Sequence, residues 1–350
     1  MMYILYIKML TWQKDSPALT DAKHAQYSSF PIKYPKLVDK TNTQEAVLWT
    51  EKEISFSDDI IQFGTGILKN ADQDARAKRT LMYVSGFFLY GDGIIGACIS
   101  ESLSSRIVIR EALDFYALQG YIESIHNKFY SIVVESLFPT YKDALRTELT
   151  QFPAIQKKVA WAEKWVKTIA ASLAIQQVII AGTIVESIFF TTSFAFIYWI
   201  KGKGKLPAIT DGNDMVSRDE GIHRDFGCLI YALVEQEYRI PEAVVHNMIK
   251  EATEAEQEFI NEAMEGKSLE GFNIDDALEY PMYIADLLAV DLGYARIYNQ
   301  RNPFPWIITL SISPRKNFFE KNVTEYQKAY TAKSVSGKKD GFDFSDDPDF

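Results

Sequence analysis

Apolar residues recur at spacings of three and four from Ser57 to about Ile200, the period of helices that bury one face. The long apolar stretches are Leu81–Ser100, Ile107–Phe138 and Val159–Ile200, with breaks expected near Ser104 and Pro139. A second set of helices is expected over Asp214–Glu237, Pro241–Glu265 and Ile274–Tyr298. Alternation of the β type is rare and no internal repeat is visible, so the pattern predicts an all-α bundle of long helices. Residues 1–45 are polar and broken by Pro17, Pro31 and Pro35; they read as an arm on a body that starts near Trp49.

Ile169–Ile200 is long and apolar enough to cross a bilayer. It also carries Gln176, Gln177, Thr183, Glu186, Thr191 and Thr192, and a carboxylate at the centre of a span costs several kcal/mol. The expected place for this helix is therefore the interior of a bundle, with no membrane partner. The formal charge of −10 leaves no cationic excess for gripping phosphates, which argues against nucleic acid as a partner. Cys98 and Cys228 are too few for a disulfide framework or a Cys-x-x-Cys zinc site, and MMYILYIKML at the start lacks a basic leader and a cleavage site. A cytoplasmic location is the expectation.

Two of the four histidines share one local frame, Glu123-Ser-Ile-His126 and Glu220-Gly-Ile-His223. Residues three apart on a helix share a face, so each pair offers a carboxylate and an imidazole to one point. A bundle-core site for two iron or manganese ions needs two such pairs and one carboxylate from each of two further helices. Asp92 in FFLYGDGIIGA and Glu186 in GTIVESIFFTTSF are the acids available inside apolar helices. Four carboxylates buried together need cationic compensation, and hard oxygen with imidazole nitrogen suits iron or manganese. Gly91-Asp92-Gly93 would also make a turn. Tyr130 lies one turn beyond His126 on the ligand face, where a phenol would stand near one metal or simply pack in the core. Phe190, Phe194 and Val216 would line it with apolar surface if their helix faces converge. Storage, hydroxylation, desaturation and radical generation are all open to such a site.

The stretch from Glu111 to Ser131, EALDFYALQGYIESIHNKFYS, resembles the EARxFYxxQxxxExIHxxxYS segment of class I ribonucleotide reductase small subunits of the eukaryotic and viral type. Further matches follow in order: FPIKY at 30–34, LWTEKEI at 48–54, FFLYGDGI at 87–94, VESIFFTTSFAFIYW at 185–199, SRDEGIH at 217–223, NPFPW at 302–306 and NFFEKNVTEYQ at 317–327. The resemblance implies a ferritin-like bundle over 46–330 between the arm and a flexible tail at 331–350. It implies a di-iron centre that uses O₂ to oxidise Tyr130, held by Asp92, Glu123, His126, Glu186, Glu220 and His223. Trp49 would pass an electron toward the site, Asp219 would link it to the ligand His126, and Tyr326 would relay the radical to a large subunit, with the protein acting as a homodimer. Tail residues Phe344 and Phe350 match the aromatic positions that dock on that subunit, whereas Asp346 stands where the family has an aliphatic residue. After Asp92, GIIGACIS replaces a more polar run, and the first 25 residues match no family pattern. A stand-alone di-metal oxidase would need a substrate cavity beside the metals; an iron-storage or scaffold bundle would have no use for Tyr130.

Overall fold

The computed structural model describes residues 14–147, 152–168 and 172–307; Tyr326, Phe342, Phe344, Asp346 and Phe350 lie outside them. Four long helices build the centre: α3 (Ala71–Cys98), α4 (Arg110–Leu137), α6 (Ile175–Gly202) and α7 (Pro207–Tyr231). Around them lie α1 (Pro35–Glu45), α2 (Ser57–Thr65), α5 (Pro153–Glu163), α8 (Glu242–Ala263) and α9 (Ile274–Asp291). No strand occurs among the described residues, only an isolated bridge between Leu269 and Phe272. The main packed pairs are α3 with α4, α6 with α7, and α8 with α9.

Residues 35–45, expected in an irregular arm, form α1. Pro35 opens this helix, where its missing N–H would have had no partner anyway. α7 starts at Pro207 rather than Asp214 because its first turn is capped from another helix. Both carboxylate oxygens of Asp59 on α2 accept from backbone N–H groups, of Ala208 and Ile209, each at 2.9 Å. α9 stops at Asp291, short of Tyr298. Gly293 takes φ 84°, and the Tyr294 N–H returns to the Ala289 carbonyl at 2.8 Å, a left-handed helix stop.

The apolar run from Val159 to Ile200 divides into α5 and α6. The backbone N–H of Ile175 at the start of α6 is satisfied by the Asp15 carboxylate at 2.8 Å, and the Leu173 carbonyl just before it accepts from Arg106. Two helices, over Ala71–Arg106 and Ile175–Gly202, are long and apolar enough to span a membrane. In the second, 94% of the apolar window is buried inside the bundle. α6 is thus the central core helix, and every residue from Ile175 to Ile200 is buried.

Candidate metal centre

Each central helix contributes to one buried cluster. α4 presents Glu123 and His126 one turn apart, and α7 presents Glu220 and His223 in the same way. α3 runs unbroken through Gly91-Asp92-Gly93, so Asp92 points from mid-helix and no turn forms there. Gly91 is needed for a different reason: a Cβ on it would lie 2.8 Å from the Phe190 ring. Glu186 comes from a widened π-helical turn of α6 spanning Val185–Phe189.

The ligand atoms fall into two overlapping groups, Asp92–Glu123–His126–Glu220 and Glu123–Glu186–Glu220–His223, with the atoms of each within 4.8 Å of one another. Glu123 and Glu220 belong to both. Both histidines turn Nδ1 inward: His126 Nδ1 lies 2.9 Å from Glu220 Oε1, and His223 Nδ1 lies 3.1 Å from Glu123 Oε1. Among the described residues, both oxygens of Asp92 and Glu123 Oε2 find no hydrogen-bond partner, and Glu220 and the two Nδ1 atoms meet other members of the cluster instead of an outside partner. Such a density of buried unpaired donors and acceptors is costly unless something binds them.

The electrostatics point the same way. Burial pushes the Asp92 and Glu186 carboxyls well above their ordinary range, and the neighbouring acids add to the effect. Burial acts on Glu123 in that direction too, but the His126 and His223 imidazoles hold it down at about 2. Asp92 and Glu186 therefore resist ionising without a cation beside them. Two divalent cations, one per group with Glu123 and Glu220 shared, would satisfy the orphaned atoms and the charge together. The donor set therefore fits a dinuclear metal centre.

The outer groups orient it. Asp219 Oδ2 accepts from the Trp49 indole N–H at 2.7 Å and lies 3.3 Å from His126 Nε2. This fixes the proton on Nε2 and leaves the Nδ1 lone pair facing the cluster. Asp219 Oδ1 accepts from Gln44 at 3.0 Å and from Arg218 at 3.2 Å. Trp49 is set in place because Thr50 and Glu53 form a capping box directly after it. Gln119 donates to Glu186 and, at 3.4 Å, to Glu123. Sequence reasoning missed Gln44, Arg218 and Gln119, although Gln119 sits one turn before Glu123 on the ligand face.

Tyr130 is 1% exposed, and its hydroxyl has no hydrogen-bond partner among the described residues. Its ring stacks on Phe88 at 4.3 Å and meets the edge of Phe129 at 5.0 Å. Phe190 and Phe194, two of the three residues expected to line it, each lie 5.2 Å from Phe88 and so extend this aromatic cluster behind the Phe88 ring. Phe88, one turn before Asp92, was the unforeseen keystone. Burial raises the phenol pKa well above its usual range, and the Asp92 and Glu220 charges reinforce this.

A cavity of about 20 Å³ lies on the other side of the cluster, lined by Ile95, Cys98, Ile99, Tyr116, Glu186 and His223 among others. That is room for roughly one water-sized molecule, whereas pockets for organic ligands run to hundreds of Å³. This cavity is too small for the organic substrate that a stand-alone oxidase would take.

Four long helices enclosing two Glu-x-x-His pairs and two more carboxylates place the protein in the ferritin-like class of helical bundles built around a dinuclear carboxylate site. Within that class it belongs to the ribonucleotide reductase small-chain family, whose model, "Ribonucleotide reductase, small chain", matches residues 26–303. It is 35% identical to a ribonucleoside-diphosphate reductase small chain of Arabidopsis thaliana, over 96% of this protein and 98% of that one. It is 33% identical to a ribonucleoside-diphosphate reductase small chain of Saccharomyces cerevisiae, over 97% and 83% of the two proteins. The fold matches the ribonucleotide reductase R2 subunit from Clostridium botulinum with a TM-score of 0.71 at 21% identity, covering 85% of this protein and 95% of that one. It matches the Rnr4 homodimer from Saccharomyces cerevisiae with a TM-score of 0.67 at 24% identity, covering 87% and 90%.

Proposed function

We propose that this protein is the small subunit of a ribonucleoside-diphosphate reductase, oxidising Tyr130 beside a two-iron centre and passing that oxidation to a separate large subunit. The observation that carries the reading is the Tyr130 phenol, without a hydrogen-bond partner among the described residues and packed on Phe88 and Phe129, one turn from His126. Asp92 and His126 would hold one ion, Glu186 and His223 the other, with Glu123 and Glu220 shared between them; manganese would suit the same donors. When bound, the ions supply the reducing equivalents and the O₂ activation that no side chain can provide.

The protein's part follows from its geometry. Tyr130 gives up one electron and its phenolic proton, and the apolar wrap keeps water and reductants from quenching the product. Trp49, Asp219 and His126 form a continuous hydrogen-bonded line leading to the cluster. An electron crosses at Trp49 while the Asp219 carboxylate takes or returns the indole proton. Tyr326 takes the next relay step, and the segment ending at Phe344 and Phe350 docks on the large subunit, where nucleotide is reduced. The protein works as a homodimer in the reducing cytosol, which suits its two free cysteines.

Electron paramagnetic resonance after adding Fe(II) and O₂ tests the assignment. A tyrosyl signal is expected from the wild type and none from Tyr130→Phe at equal iron content. A signal that survives the substitution removes Tyr130 from its role.

A further inference from the structure

Lys158, on α5, is fully buried and is not one of the cluster's ligands. Its Nζ makes an ion pair with Glu256 of α8 at 2.6 Å, and it sits 3.6 Å and 3.9 Å from the ring centroids of Phe87 and Phe259. A buried ion pair seldom stabilises a core more than apolar residues of equal volume would, so its presence calls for a specifying role. The third contact supplies one. Lys158 Nζ donates to the backbone carbonyl of Phe189 at 2.7 Å, the last residue of the π turn that carries Glu186.

A π turn fits one extra residue into the helix and disturbs the regular ladder, which side chains or neighbours must then complete. Here the Ser187 hydroxyl serves the Thr183 carbonyl at 2.6 Å, the Thr191 hydroxyl serves that of Ser187, and Lys158 serves that of Phe189. The first two donors belong to α6 itself. Lys158 alone of the three anchors the turn to another helix. Closing the turn to a regular α geometry would rotate every later residue by about 100° relative to those before it and redirect Glu186 relative to α7.

We propose that Lys158 is a positioning residue for the metal centre: by holding the Phe189 carbonyl it keeps α6 widened and so keeps Glu186 aimed at the ion shared with His223. Glu256 neutralises the lysine in the core. This inference rests on the cluster being a two-metal site.

Removing Lys158 alone would strand the Glu256 carboxylate and threaten the fold, so the informative variant is Lys158→Met with Glu256→Gln, compared with Glu256→Gln alone, which keeps the lysine's donation. Co(II) titration followed by visible absorption reads the two ions separately, and crystal structures of the metal-free variants read the turn. We expect a 10- to 100-fold loss of affinity at the Glu186/His223 ion in the double variant only, with the Asp92/His126 ion within about threefold of wild type and the turn tightened. Equal loss in Glu256→Gln would reduce Lys158 to half of a structural ion pair and overturn the proposal. So would a folded double variant that keeps both affinities and the π turn. A wild-type protein that takes up fewer than two ions would overturn the metal reading and this inference with it.

Discussion

Replacing Asp219 with asparagine changes almost no volume but removes one charge and one acceptor from a fully buried position. The wild-type carboxylate accepts on both oxygens: Trp49 and His126 on Oδ2, Gln44 and Arg218 on Oδ1. An asparagine can offer one oxygen only. Keeping it toward Trp49 and His126 turns its amide NH₂ against the Gln44 amide and the Arg218 guanidinium, donor against donor. Hydrogen bonds to a charged group contribute about 1.5–3 kcal/mol each when buried, and the Arg218 bond counts for less because its side chain is 36% exposed. The expected loss of folding stability is about 2–4 kcal/mol, measured by denaturant titration of the metal-free protein. The His126 imidazole also loses its anionic partner, which costs about 10- to 100-fold in affinity for the ion it binds, about 1.4–2.7 kcal/mol. Metal titration should show that loss at the Asp92/His126 ion and leave the Glu186/His223 ion alone, the reverse of the Lys158 pattern. Unchanged stability with two unchanged affinities would refute the reasoning, and equal weakening of both ions would show general loosening instead.

Other substitutions probe separate parts. Tyr130→Phe removes a buried hydroxyl with no partner among the described residues, so thermal unfolding should show stability unchanged or higher by up to about 1 kcal/mol. Gly91→Ala places a methyl 2.8 Å from one Phe190 ring carbon and 3.1 Å from another, and should destabilise the fold by about 1–3 kcal/mol; an unchanged melting point would contradict the packing described. Asp74 accepts from the Leu68 N–H at 2.9 Å, from that of Ile67, and from Lys78, and these bonds outweigh burial to hold its pKa below the ordinary 3.8. Its contribution is present at neutral pH and fades as pH falls through 3.8 toward the folded value. The stability gap between wild type and Asp74→Asn should therefore close in acid. Deleting residues 331–350 should abolish nucleotide reduction with the large subunit while the tyrosyl signal persists.

The two Glu-x-x-His pairs were legible because a helix writes its faces into spacing, and three residues apart is a statement about geometry. Asp92 and Glu186 were legible by contrast, as single acids in apolar runs. What the sequence hid is whatever depends on partners far along the polypeptide. Asp15 satisfies an N–H 160 residues away, Asp59 caps a helix 149 residues on, and Gln44 reaches Asp219 across 175. The π turn at Glu186 was hidden for another reason: nothing in the spacing of Val185–Phe189 marks it, and the lysine that bonds the Phe189 carbonyl comes from a neighbouring helix. Helix ends were blurred where a cap came from elsewhere and could have been sharper at Gly293, whose left-handed stop is a local signal.

The burial of α6 has a consequence for how the protein is made. On the ribosome this segment emerges before α7 and α8 exist to cover it, and its mean hydropathy over eighteen residues is 1.7. About sixty residues must follow before α8 is complete, which at about 5–20 residues per second leaves the segment uncovered for about 3–12 s. For that interval the growing protein displays what a targeting factor would read as an anchor. Yield during rapid synthesis should accordingly respond to chaperone supply more than to the stability of the finished fold.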